Sequence, residues 1–350
     1  MSIGDGTTRP LWSPDSRHLL TSKGRTGSLI LYTADGQQIA SYADFVDPTW
    51  LGDDTFLAYR GYPPSNAKPV DIDAVMGNAT DGSVTDTSFP CCNTLGNGAG
   101  AVVVFWFPPH PGSPHEQAQY SVWSNGKSTD ARPGFPDEWS AWSPAGDKLV
   151  IEHPFGSPRV FAPEGWGEVL TWPGLNRIFE GDHNQAFGQV SFDPSGSYLA
   201  YQTAVDPAQA DHVNDVHIVT LATGAVSTIP IEGDQFSFAW NAQSQLIVSD
   251  IAAGTLTTYS TAGGLVDVQQ ELEPKLDGTA VSSSVDGSSV LANVFGLSTA
   301  TGTHLAVERN GHTTDLTYPP GDTSELLTDL SPNGQWLVAV TDQGAWLTQL

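Results

Sequence analysis

Trp12-Ser13-Pro14-Asp15-Ser16, running straight into His18-Leu19-Leu20, is the stretch that decides the fold. It is a large apolar residue, a tight turn and the start of a strand. Proline pre-sets φ at the second position of a turn, Asp or Asn tolerates the next, and a residue with positive φ, usually glycine, closes it. The same reading returns at Trp142-Ser143-Pro144-Ala145-Gly146, Phe192-Asp193-Pro194-Ser195-Gly196 and Leu330-Ser331-Pro332-Asn333-Gly334. Looser copies are Trp50-Leu51-Gly52-Asp53, Trp240-Asn241-Ala242-Gln243 and Ser283-Ser284-Val285-Asp286-Gly287, with a degenerate one near Leu95. The starts fall at 12, 50, about 95, 142, 192, 240, 283 and 330, at intervals of 38 to 50 residues.

Each turn precedes a strand-like run, for example residues 17–22, 55–60, 197–202 and 335–341. A third run then ends in a second turn, as at Ala34-Asp35-Gly36 or Asn125-Gly126. Asn-Gly and Asp-Gly are the strongest short hairpin signals. A fourth run follows, as at 38–42 and 226–229. Four antiparallel strands in each period of about 45 residues are the signature of a propeller blade. The expectation is therefore all-β: a single closed propeller over residues 1–350, with eight blades, or seven if one repeat is misread. The large residue before each turn should point into the core between sheets. The last repeat has only three strands before the chain ends, and residues 1–6 look short for the missing fourth.

The turn pattern of Trp12-Ser13-Pro14-Asp15 and its copies resembles the TolB-type, or WD40-like (PD40), propeller repeat. The resemblance covers nearly the whole chain. It implies the fold and leaves the function open, because such propellers serve as scaffolds, hydrolase accessory domains and lyases. The Gly-His and Trp-Asp signature of classical WD40 repeats is absent.

Composition narrows the partners. Thirty-six Gly and 25 Pro fit a chain of short strands and many turns. The 39 Asp and Glu outnumber 13 Lys and Arg, for a formal charge of −26. A phosphate backbone or anionic membrane surface would be repelled, so nucleic acid is not an expected partner. A cation, a cationic ligand or a basic protein patch would be attracted. Solubility alone also accounts for such a charge. No apolar run approaches the length of a membrane span. The start, residues 1–10, has neither a basic nor an apolar leader region. An extracytoplasmic location after signal removal is expected over a cytoplasmic one. The only cysteines, Cys91 and Cys92, are adjacent and cannot staple distant segments. They read as two free thiols or as a strained vicinal disulfide.

In a propeller the connections between blades share one face with the loops joining second and third strands. A rigid scaffold that presents loops is where binding concentrates. Nearly every inter-blade connection here carries an acid. Five histidines, His110, His115, His153, His183 and His212, fall on loops of that face. Imidazole with carboxylate can hold a divalent metal ion or perform acid–base chemistry. The candidate catalytic residues are His183, Asp182 and Glu138. The candidate ligand-binding residues are Asp47, Tyr62, Glu138, Trp139, His153, Asp182, His183 and His212. His110, His153 and His183 are the candidate metal ligands. His18, His217, His304 and His312 fall in strands or opposite turns and read as structural or solvated.

No Gly-x-Ser-x-Gly elbow, phosphate-binding glycine loop or Cys-x-x-Cys pair occurs. The first functional expectation is a binding scaffold for a protein, peptide or glycan. The alternative is a metal-assisted lyase or hydrolase of carbohydrate type at the channel mouth.

Overall fold

A computed structural model describes residues 2–4, 8–23, 27–61, 73–87, 94–106, 119–124, 127–128, 132–133, 141–153, 156–162, 167–171, 187–204, 214–231, 236–250, 255–270, 279–294, 303–309, 312–318, 327–341 and 344–350. Every described regular element is a strand. Packing divides the chain into two compact units, Met1–Pro136 with Ser324–Leu350, and Asp137–Thr323.

The first unit begins with β1 (Ser2–Gly4). Its first sheet is β2 (Thr8–Trp12), β3 (His18–Lys23), β4 (Ser28–Thr33) and β5 (Gln38–Ala43). The next is β6 (Phe45–Trp50), β7 (Thr55–Arg60), β8 (Ala74–Asn78) and β9 (Val84–Thr87). A third joins β10 (Thr94–Gly96), β11 (Ala101–Trp106), β12 (Gln119–Ser124), β13 (Lys127–Ser128) and β14 (Arg132–Pro133).

The second unit holds four sheets. They are β15 (Ala141–Trp142) with β16 (Leu149–His153), β17 (Gly156–Ala162) and β18 (Gly167–Thr171); then β19 (Phe187–Phe192), β20 (Tyr198–Ala204), β21 (Asn214–Thr220) and β22 (Ala225–Ile231). After them come β23 (Phe236–Trp240), β24 (Leu246–Asp250), β25 (Thr255–Tyr259) and β26 (Leu265–Gln270); and β27 (Thr279–Ser283), β28 (Ser289–Val294), β29 (Thr303–Arg309) and β30 (His312–Tyr318). The chain returns to the first unit with β31 (Leu327–Leu330), β32 (Trp336–Thr341) and β33 (Gly344–Gln349).

Antiparallel sheets of this kind are the blades of an all-β propeller. The expectation of eight blades, or seven, is corrected. Six sheets are regular blades, each of four consecutive strands. Two depart from the pattern. In the sheet starting at β10, the outer strand is broken into β13 and β14, which both pair with β12. A proline at 133 inside this segment removes a ladder donor. In the last sheet the chain supplies only three strands. The fourth is β1, paired antiparallel with β33 through Ser2–Trp346 and Gly4–Ala345. The short N-terminal segment therefore does complete that sheet.

The repeated turn is held by one buried oxygen. Ser13 Oγ donates to Asp15 Oδ1 (2.7 Å) and accepts from the His18 N–H (2.9 Å). Ser143, Ser284 and Ser331 do the same for Lys148, Ser289 and Trp336, at 2.9, 3.1 and 2.9 Å. Asp193 performs the task with a carboxylate, accepting from the N–H groups of Ser197 (2.8 Å) and Tyr198 (2.7 Å). Asn241 does so for Gln245 (2.9 Å). A buried backbone donor left unpaired would cost about 1–3 kcal/mol, which accounts for a polar residue inside an otherwise apolar repeat.

The closing position of the turn has positive φ. It is glycine at Gly146, Gly196, Gly287 and Gly334, with φ of 63 to 66°. Ser16 (φ 64°) and Ser244 (φ 54°) stand there in two repeats. Both hydroxyls bond to the turn of a neighbouring sheet. Ser16 Oγ accepts from the Asn333 N–H (3.0 Å), and Ser244 Oγ donates to Asp193 Oδ2 (2.6 Å). Serine accepts a left-handed backbone here in exchange for an inter-sheet bond.

The large residue before the turn packs between sheets. Trp12, Trp50, Phe192, Trp240 and Leu330 are buried. Trp50 Nε1 donates to Leu11 O (3.0 Å) and Trp240 Nε1 to Ser191 O (3.2 Å), each one repeat earlier in the chain. Trp142 departs from the expected core position and is only half-buried, on the two-residue strand β15. Apolar layers fill the spaces on both sides of a blade. Leu20, Leu29 and Leu31 meet Phe45, Trp50 and Phe56. Ile218, Ile229 and Ile231 meet Phe238, Trp240 and Val248. A strand covered on both faces needs a continuous apolar run, and Phe56-Leu57-Ala58-Tyr59 on β7 is fully buried.

Candidate functional site

First strands of neighbouring sheets are also sewn together by side chains. Gln189 on β19 exchanges two bonds with Phe238 on β23, Nε2 to O at 2.6 Å and N to Oε1 at 3.0 Å. Ser237 Oγ accepts from the Val281 N–H (2.6 Å). Both stand three residues before the large turn residue, Phe192 or Trp240. On β6 that place belongs to Asp47.

Asp47 does not make the equivalent link. The β6–β7 register shifts between Val46 and Thr49, which marks a bulge. Thr49 Oγ1 takes over, accepting from the Gly96 N–H (2.8 Å). Asp47 sits within the bulge with φ 47°, a conformation that aspartate tolerates better than most residues. Burial alone raises its carboxyl above the ordinary aspartate range. A half-buried carboxylate of this kind is stabilised by an incoming cation or by a proton.

The connection that precedes it is the single residue Asp44 (φ 61°), whose carbonyl accepts from the Gly61 N–H (2.6 Å). Gly27 packs against this corner, where an added Cβ would lie 3.0 Å from Val46 Cγ1. Arg60, at the end of β7, pairs with Asp86 (2.5 Å) and stands over the Phe45 ring (5.7 Å). The connection end of the first two blades thus carries Asp44, Asp47, Arg60 and Asp86 on a fixed backbone.

Of the sequence candidates, Asp47 is the one whose side chain is placed. His153 ends β16, and its backbone pairs with Gly156. Tyr62, His110, His115, Glu138, Trp139, Asp182, His183 and His212 lie outside the described residues, as do Cys91 and Cys92. Among the described residues, no group of three His, Cys, Asp or Glu could hold a metal ion. No helix among them is long and apolar enough to cross a membrane.

His217 takes the structural role expected of it. It is buried in β21, with Nε2 2.9 Å from Thr203 Oγ1 and Nδ1 3.0 Å from Thr228 Oγ1. Its ring stacks on Tyr201 at 4.9 Å. Burial lowers its affinity for a proton, against a smaller opposing pull from Asp215. His18 is also buried, stacked on Trp50 at 6.4 Å. The inter-sheet links at Gln189, Ser237 and Thr49 were not singled out in the sequence. For Gln189 and Ser237 the signal was a polar residue three places before the large turn residue; Thr49, one place before Trp50, breaks that spacing.

Comparison with solved structures supports the architecture. The chain is similar to the C-terminal WD40 domain of Sif2, with 13% identity and a TM-score of 0.54, covering 90% of this chain and 82% of that one. It is also similar to KlHsv2 with loop 6CD replaced by a Gly-Ser linker, with 9% identity and a TM-score of 0.54, covering 99% and 98%. The fold is a β-propeller. No protein-family model matches the sequence, and no curated protein matches it significantly. At these identities the likeness shows fold alone.

Proposed function

We propose that the chain is a single propeller domain of TolB-type descent that serves as a protein-interaction scaffold. It recognises a partner protein or peptide through the connection end of its blades, with a glycan as the other ligand class. The observation that carries this reading is Asp47. Unlike Gln189 and Ser237 at the equivalent place, it makes no inter-sheet link, and it stands as a partly desolvated carboxyl beside the Asp44 connection. A Lys or Arg side chain from a partner is the group such a carboxylate receives best. The net charge of −26 steers cationic partners toward it.

The test compares Asp47→Lys with Asp35→Lys, a matched charge change on an exposed turn at the opposite end of a blade. Affinity capture from the native source should retain a partner on wild type and on Asp35→Lys, and lose it on Asp47→Lys. Equal retention by all three would refute the reading. Metal analysis of the purified chain covers the enzymatic alternative. Stoichiometric Mn, Zn or Ca that disappears in His183→Ala would favour a metal-assisted lyase or hydrolase.

A further inference from the structure

The outer strands of two successive blades differ in a way that the core does not require. In β22, Val226 is exposed, but Ile229 and Ile231 turn inward and are buried against the next sheet. In β26, Leu265, Val266 and Val268 are 64, 49 and 41% exposed. The β25–β26 register places Leu265 opposite Tyr259 and Val268 opposite Thr257. Among the described strands β26 pairs only with β25, so its other edge is open.

An open edge with apolar side chains is a template for another strand, and proteins usually blunt such edges with lysine or proline. β22 carries Pro230. β26 reads Leu265-Val266-Asp267-Val268-Gln269-Gln270; it has no lysine or proline, and its one charged residue is Asp267.

Charge indicates what fits. No lysine or arginine occurs between Arg177 and Lys275, whereas that stretch holds twelve Asp and Glu. It contains the whole of both sheets, β19 to β26. A second copy of the chain would bring the same acidic surface, and so would a phosphate-rich partner. An extended basic segment would not.

We propose that the open edge of β26 docks an extended, Lys- or Arg-bearing segment of a partner protein. The segment adds as a further antiparallel or parallel strand. Its backbone pairs with the β26 edge, its apolar side chains cover Leu265 and Val268, and its cations face Asp267, their approach favoured by the net negative charge of this stretch of sequence. This surface is separate from the connection end and does not depend on the reading of Asp47.

The experiment uses the full chain and a short acetylated peptide of alternating valine and lysine, with a valine–glutamate peptide as control. Binding is followed by calorimetry and by hydrogen exchange. The Val-Lys peptide should bind and slow exchange at residues 265–268, and the Val-Glu peptide should not. Leu265→Lys with Val268→Lys should weaken binding at least about tenfold, with an unchanged thermal midpoint because both sites are exposed. Absence of binding, equal binding of the two peptides, or binding that survives the double variant would overturn the proposal. So would a concentration-dependent dimer of the free chain that the double variant abolishes, since the occupant would then be a second copy.

Discussion

The two ends of a blade use polar residues in opposite ways. At the end with the first-to-second-strand hairpins, the short polar residue of the repeated turn is bonded in six repeats. Ser13, Ser143, Asp193, Asn241, Ser284 and Ser331 bond to their own turns, and Ser16 and Ser244 reach the neighbouring one. At the connection end, the described corner between β5 and β6 has two aspartates in left-handed conformation and a carboxylate that burial keeps from ionising freely. Polar groups at the first end hold the fold together. At the second, Asp44 and Asp47 hold a left-handed backbone beside the buried Phe45 and Val46.

The largest effect expected from this contrast is at Trp240. Its side chain is fully buried and its indole N–H bonds to the preceding sheet, so Trp240→Ala should cost about 3–5 kcal/mol in urea unfolding. Trp142→Ala, at the same place in its repeat but half-buried, should cost less than half of that. Similar losses at the two sites would break the assignment of one as an inter-sheet plug and the other as a rim residue.

Asp193→Ala comes next. It removes the acceptor for the turn N–H groups of Ser195, Ser197 and Tyr198 and for the Ser195 and Ser244 hydroxyls, at a cost of about 2–3 kcal/mol. Ser244 sharpens the comparison further. Ser244→Ala loses the bond to Asp193 and keeps the left-handed strain, whereas Ser244→Gly loses the bond and relieves it. The alanine variant should be less stable by about 1 kcal/mol.

The smallest effects concern protons. His217 is held below its usual pKa of 6.5, so its contribution is full above that pH and falls away as the pH drops through the lowered value. His217→Gln should flatten that part of the stability–pH curve. Asp47 has the opposite sign. Its raised pKa means that its native environment is best tolerated below the usual pKa of 3.8, and stability is lost as the pH climbs through the raised value. Asp47→Asn should therefore raise the thermal midpoint at neutral pH, with the gain vanishing in acid.

The hairpin end was legible in the sequence because its chemistry is local. Proline, a short polar residue and a positive-φ residue must fall within five positions, and they recur at a readable spacing. The blade count was less legible. The third repeat replaces the proline turn with Asn97-Gly98, and the last borrows β1 from the other end of the chain. Trp142 reads like Trp12, yet it is only half-buried. The Ser244–Asp193 bond spans 51 positions, and no local pattern announces it. Asp47 was picked as a loop acid. That Thr49, and not Asp47, links this strand to Gly96 is a fact of the packed sheets that no local pattern announces. The exposed edge of β26 escaped for a related reason, because Leu265 to Gln270 reads as an ordinary outer strand.

The most direct test of the division between the two ends is one urea-unfolding comparison of two multiple variants. One changes Ser143, Ser284 and Ser331 to alanine. The other changes Asp44 and Asp47 to asparagine, which tolerates the same left-handed backbone. The account predicts that the first set loses about 1 kcal/mol per residue, while the second unfolds at or above the wild-type midpoint. A serine set as stable as wild type, together with a destabilised second set, would contradict it.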